Sequence, residues 1–105
     1  MMFFAEIGLP ETFSLMQNYP NPFNPTTNIK YAIVNKQFVT LKVYDVLGNE
    51  VVTLVNEYKP AGNYEINFDA SELSSGVYYY QLKTGSSELN SGQSFIAAKK
   101  MLLLK

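Results

Sequence analysis

A search for chemistry begins with the side chains able to perform it, and this chain is short of them. Histidine and cysteine are both absent from its 105 residues. That removes the commonest general base, the commonest transition-metal ligand, disulfides, zinc-thiolate sites and the cysteine nucleophile. The acids Asp45, Glu50, Glu65 and Asp69 are scattered among turns and polar strand faces, with no spacing that pairs two carboxylates for glycosidase chemistry. Ser74-Ser75-Gly76 reads as turn composition rather than a nucleophile, and Asp69 reads as a turn cap before it reads as a calcium ligand. No phosphate-cradling glycine loop or EF-hand pattern occurs. The sequence therefore implies no enzyme activity, no cofactor and no metal.

Binding chemistry is equally restricted. Arginine is missing and the net charge is -1, so the clustered cationic forks that grip phosphates and base edges are absent and nucleic acid is not an expected partner. Tyr78-Tyr79-Tyr80 invites a sugar-stacking reading. Neighbours on a strand point to opposite faces, however, so Tyr79 alone should face out, and one ring is a poor platform. No apolar run reaches the ~20 residues that a spanning helix needs. Met1 to Glu6 is apolar but carries no basic residue and is interrupted by Glu6, so it does not read as a signal peptide.

The elements that would position any site are strands. Ile29, Tyr31 and Ile33 share one face, as do Val39, Leu41 and Val43, then Tyr64, Ile66 and Phe68, then Tyr78, Tyr80 and Leu82. Each run alternates with polar residues, the mark of a half-buried strand. Val51 to Val55 is strand-like with ambiguous facing, and Phe95 to Leu104 is expected to form the final strand. Between runs, Asp45 to Asn49 should close a hairpin with Gly48 at positive φ, Lys59 to Gly62 is a second break, and Asp69 to Gly76 a third that could hold one helical turn. The expected fold is all-β: an immunoglobulin- or fibronectin-like antiparallel sandwich of about seven strands. Tyr78 then reads either as a plain core residue or as a tyrosine corner, its hydroxyl returned to upstream backbone.

Before the first long strand lies Asn18-Tyr19-Pro20-Asn21-Pro22-Phe23-Asn24-Pro25. Each proline fixes its own φ and drives the preceding residue out of the helical region. Tyr19 and Phe23 give the loop apolar anchors that a free linker would not need, so Phe23 is expected to be buried. Residues 1–12 read as a linker or the tail of a preceding region, and 13–105 as one domain.

Several of these segments together, Leu15 to Ile29, Val43 to Val51, Pro60 to Tyr64, Phe68 to Ala70, Leu73 to Tyr80 and Lys99 to Lys105, resemble the type A C-terminal sorting domain of type IX (Por) secretion substrates in the Bacteroidetes and related phyla. The early part also resembles the immunoglobulin-like domain of flagellar hook-capping proteins. The basic and apolar ending favours the sorting family. The resemblance implies a non-catalytic label at the end of a longer precursor. Such a label takes an N-terminal cargo domain through the periplasm to an outer-membrane translocon. A cell-surface peptidase then cleaves it, leaving the cargo at the surface or outside the cell. Carried over by motif, Pro20, Asn21, Pro22, Phe23 and Gly48 are structural, while Gly76, Val77, Tyr78, Lys99, Lys100 and Lys105 are expected to meet the translocon. Residue chemistry alone reads the three lysines as solubility residues on an edge strand, where they also discourage unwanted pairing. A spacer or carbohydrate-binding module of a secreted enzyme is the alternative.

Overall fold

In a computed structural model describing residues 9–85 and 94–105, the chain forms strands β1 (Ser14–Leu15), β2 (Thr26–Ile33), β3 (Gln37–Tyr44), β4 (Glu50–Lys59), β5 (Gly62–Asp69), β6 (Gly76–Thr84) and β7 (Phe95–Leu103). They build two antiparallel sheets, β1-β2-β5 and β4-β3-β6-β7. The expected sandwich and its strand number are thus present.

The alternation read from sequence determines the packing. Ile29, Tyr31 and Ile33 project from one sheet onto Val39, Leu41, Val43, Tyr78, Tyr80 and Leu82 of the other, with Met101 and Leu103 added by β7. Phe68 is buried with them, whereas Tyr64 and Ile66 are only half-buried. The reason is position: β5 is the outer strand of the smaller sheet, so its inward row is roofed on one side only. Tyr64 compensates by stacking on Tyr31, with ring centres 5.3 Å apart, and by donating its hydroxyl to the Pro60 carbonyl.

The ambiguous facing of residues 51–55 has a structural cause. Register shifts between Leu41 and Lys42 and between Val43 and Tyr44 interrupt the β3–β4 pairing, and a bulge breaks strict alternation. Val55 is buried while Val51 is exposed. The third break is not helical. Asp69 accepts the Ser71 amide on its side chain and the Leu73 amide donates to Ala70, so Asx-turn chemistry competes successfully with a helical turn.

Tyr80 is the largest fully buried side chain, with 0% of its surface exposed. Its hydroxyl accepts the backbone amide of Asn18 and donates to the carbonyl of Met16, both at 2.7 Å. The Asn18 side chain, also buried, donates to Thr27 Oγ1 and to the Pro20 carbonyl, to which Thr27 Oγ1 donates in turn. Gln17 Nε2 donates to Asn18 Oδ1 and to the Lys100 carbonyl, each at 2.7 Å. One connected polar network therefore fastens the segment after β1 to β2, β6 and β7.

Burial raises the Tyr80 hydroxyl from 10.0 to about 12. Burial, followed by the nearby Tyr64 and Glu57, does the same to Tyr31. Both folded values lie above the unfolded one, so their contribution to stability is fully present below about pH 10 and is lost as pH rises through about 12. A spectrophotometric titration should find late-ionising tyrosines in the folded protein and none in urea. Tyr80→Phe leaves the Asn18 amide and Met16 carbonyl unpaired, and chemical denaturation should show a loss of about 1–3 kcal/mol.

Candidate functional site

Strand register brings the sequence motifs to one pole of the sandwich. At that end β3 closes with Tyr44 opposite Tyr79. β5 ends where β2 begins, with Asp69 opposite Thr26. β6 starts with Gly76 opposite Leu103, the last residue of β7. The Asn-Pro loop, the Asp45–Asn49 hairpin, the 70–75 turn and the end of the chain therefore meet. The chain enters at the other pole, where Phe13 stacks on Phe95, the first residue of β7, at 5.4 Å between ring centres.

Phe23 is 2% exposed and packs against Phe68, as its apolar character within a proline-rich segment requires. Its backbone forms a parallel bridge to β7: the Phe23 amide donates to the Leu102 carbonyl and the Leu104 amide donates to the Phe23 carbonyl, both at 3.0 Å. Asn21 Oδ1 accepts the Leu102 amide, also at 3.0 Å. With Gln17 on the Lys100 carbonyl, the loop occupies the outer edge of β7 from residue 100 to 104. A terminal strand offering its backbone freely for strand addition is therefore not what this half of β7 presents. Instead Asn21 and Pro22 form one wall of a shallow groove of about 270 Å³, closed by Val77, Lys100, Met101 and Leu102. The structure thus sets Asn21, Pro22, Val77 and Lys100 around one concavity. Pro20 remains beside the buried network, through its carbonyl.

Gly76 has a φ of +154°, a conformation that side chains rarely adopt. Two residues on, the Tyr78 hydroxyl donates to the Ser74 carbonyl at 2.7 Å while its ring is buried, so Tyr78 is both a core residue and a tyrosine corner. Tyr79 faces out as expected, and its register neighbours on either side are Tyr44 and Lys100.

The lysines do not form one cluster. Lys99 lies on the inward side of β7 opposite Tyr80 and is half-buried; Lys100 is exposed on the outer side opposite Tyr79. Lys105 is fastened to the 70–75 turn, its Nζ donating to the Ser71 carbonyl and its amide to Ser75 Oγ. Lys100 and Lys105 thus belong to the pole by different routes, and Lys99 lies on the opposite face of β7 from Lys100.

The hairpin is held by Asp45. Its amide donates to the Asn49 carbonyl, its carbonyl accepts from Gly48, and its carboxylate accepts the amides of Leu47 and Asn49 at 2.9 and 3.0 Å. Gly48 supplies the φ of +89° that the turn demands. Amide donation, led by Asn49, holds the Asp45 carboxyl below its ordinary value of 3.8. Among the described residues no group of three or more His, Cys, Asp or Glu is arranged to hold a metal ion. Gln17, Asn18 and Tyr80 were not singled out by sequence reasoning as a unit; nothing local in the sequence couples residue 18 to residue 80.

Residues 17–97 match the family described as the secretion system C-terminal sorting domain, and the chain belongs to that family. It is thus a domain of the type IX sorting class, in general a non-catalytic one, associated with export to the cell surface or beyond. The matched span includes Pro20 to Phe23, Gly48 and Gly76 to Tyr78, and stops before Lys99. In fold the chain is similar to CopC from Methylosinus trichosporium OB3b, with a TM-score of 0.56 and 19% identity over 88% of this chain and 93% of that one. No curated protein matches the chain.

Phe23→Ala should remove a true core residue and lower unfolding free energy by about 3–5 kcal/mol, visible as a clear drop in the denaturation midpoint. The depressed Asp45 carboxyl makes the hairpin's contribution present above the ordinary carboxylate range and lost as pH falls through the lower folded value. An NMR pH titration should find Asp45 titrating below 3.8, with the Leu47 and Asn49 amides moving in step.

Proposed function

We propose that the chain is the address label of a larger exported protein. A cargo domain N-terminal to it crosses the inner membrane by its own signal peptide. The label engages the outer-membrane translocon of the type IX system, and a cell-surface peptidase then separates it from the cargo. The engaged surface on this reading is the pole where the Asn-Pro loop, Gly76, Val77 and Tyr78, and the end of β7 with Lys100 and Lys105 adjoin. Lys99 contributes from the inward face of β7. The observation that carries the reading is the separation of poles: the motif residues gather at one end and the chain enters at the other. A cargo attached ahead of residue 9 would leave the motif pole uncovered. The domain is a substrate of this machinery, so its residues need only shape and charge.

The test is a fusion of a signal peptide and a reporter ahead of the whole chain, expressed in a bacterium with a type IX system. The reporter should appear outside the cell with the domain removed. Replacing Lys99, Lys100 and Lys105 with Gln should hold the reporter in the periplasm, with stability changing by no more than about 0.5 kcal/mol at each of the exposed Lys100 and Lys105, and a urea midpoint checks that the variant is folded. Normal secretion of that variant would remove the lysines from the signal and leave Gly76 to Tyr78 as its core. A folded, unmodified fusion retained in the periplasm would overturn the sorting reading in favour of a spacer or sugar-binding module.

A further inference from the structure

Of the two aromatic residues in the Asn-Pro loop, only Phe23 anchors it. Phe23 is buried, whereas Tyr19 is 79% exposed, so its ring does nothing for the core. Its backbone is nonetheless fixed. The Tyr19 amide donates to the Asn28 carbonyl at 3.0 Å and the Asn28 amide donates to the Tyr19 carbonyl at 2.9 Å. Asn18, just before it, belongs to the Tyr80 network. A large ring is thus held out to solvent on an ordered stretch of chain.

Tyr19 borders a groove of about 370 Å³ on the outer face of the β1-β2-β5 sheet, together with Met16, Asn28, Lys30 and Glu65. A second groove, of about 380 Å³, shares Met16, Lys30 and Glu65 and continues past Ser14, Ala32 and Asn63. From Asn28 to Ala32 the joined grooves follow four residues of strand, about 14 Å. Where they overlap, Lys30 and Glu65 stand opposite each other in the β2–β5 register. They form no ion pair with each other; the ion pairs among the described residues are Lys42–Glu50 and Lys59–Glu57. An ammonium donor and a carboxylate acceptor therefore face the same hollow, and their charges cancel. Asp69 is the other charge on the outward positions of this sheet. It ends β5 beyond Asn67, accepts the Ser71 amide and borders neither groove.

We propose that the joined grooves bind an uncharged polysaccharide, one pyranose ring stacking on Tyr19 and the hydroxyls of the next being held by Lys30 and Glu65. The chemistry selects this ligand. A pyranose presents a face of slightly positive C–H bonds, which suits the negative face of an aromatic ring. Its neighbouring hydroxyls each donate and accept, which suits a carboxylate beside an ammonium. A balanced pair of charges favours an uncharged chain over an acidic one. A peptide is a poorer match: strand addition needs an open edge, and the grooves lie on the face of a sheet whose central strand, β2, is paired on both sides. A lipid surface calls for a broad apolar face rimmed with cations, and here Lys30 has Glu65 beside it. The fixed backbone at Tyr19 lowers the ordering cost of binding. The inference stands apart from the sorting reading.

The test is isothermal titration calorimetry of the whole purified chain with cellohexaose, xylohexaose and mannohexaose, and with hexagalacturonate as the acidic comparator. At least one uncharged hexasaccharide should bind with a Kd below about 1 mM, and hexagalacturonate should bind about tenfold or more weakly than that. Tyr19→Ala and Glu65→Gln should each weaken binding about tenfold or more. Tyr19→Phe should retain it, because the ring face is kept. Tyr79→Ala should leave it unchanged, since Tyr79 lies on the other sheet and borders neither groove. Urea midpoints check that each variant is folded. Should Tyr19→Ala unfold, Glu65→Gln decides, as a substitution at an exposed position. Three results would overturn the site: a folded parent that binds none of the uncharged hexasaccharides, full binding by folded Tyr19→Ala, or tighter binding of hexagalacturonate. Export of the reporter fusion is a separate measurement. A folded fusion held in the periplasm while the chain binds sugar overturns the sorting reading alone, and an exported fusion whose domain binds no sugar overturns this site alone.

Discussion

The hydroxyl of Tyr80 is the interaction on which the remainder of this structure depends. After β1 the chain leaves one sheet and travels to the edge of the other. That passage exposes backbone groups to the interior, where each must find a partner. Tyr80 satisfies two of them at once, as acceptor for Asn18 and donor to Met16. Asn18 and Gln17 then extend the connection to Thr27 and to the Lys100 carbonyl. A polar network at this depth stabilises when complete and destabilises when partly satisfied. The position of the Asn-Pro loop, and with it the shape of the motif pole, therefore follows from a tyrosine on a strand remote in sequence.

The sandwich was legible because period-two alternation is a local property. Ile29, Tyr31 and Ile33, or Val39, Leu41 and Val43, announce their facing without knowledge of their neighbours, and all six are buried. Tyr64 and Ile66 announce their facing equally well, but their half-exposure depends on β5 being an outer strand, which is a fact of topology. β1 spans only Ser14–Leu15, too short for any period. At the candidate site, the burial of Phe23 could be anticipated from an aromatic residue among prolines, and the turn at Gly48 from its composition. The bridge from Phe23 to β7, the Asn18–Tyr80 contact and the attachment of Lys105 to Ser71 join residues far apart in sequence, and no local pattern encodes them. The lysines illustrate the boundary well. Alternation alone already assigns Lys99 and Lys100 to opposite faces, whereas the fastening of Lys105 requires the folded 70–75 turn.

Edge protection unites features that seem unrelated in the sequence. An open strand edge invites pairing with other chains. The outer edge of β7 near its end is filled by Asn21, Phe23 and Gln17. The outer strand β4 is disturbed by register shifts in its pairing with β3 and carries charge at Glu57 and Lys59. β5 places Asn63, Glu65 and Asn67 on its solvent side. The loop that shapes the motif pole thus also closes an edge.

The opposed positions of chain entry and chain end have a mechanical corollary. Tension between a load ahead of residue 9 and a grip on the far pole would run nearly parallel to the strands. The hydrogen bonds linking the segment after β1 to its neighbours, from Met16 and Tyr80 through Gln17 and Lys100 to Phe23 and Leu102, would then be sheared together rather than opened one after another. Bonds loaded in parallel share force, whereas bonds loaded in series fail singly. Loaded in this way, the domain would act as a tow hook, able to bear a pull along its length while remaining easier to peel from the side.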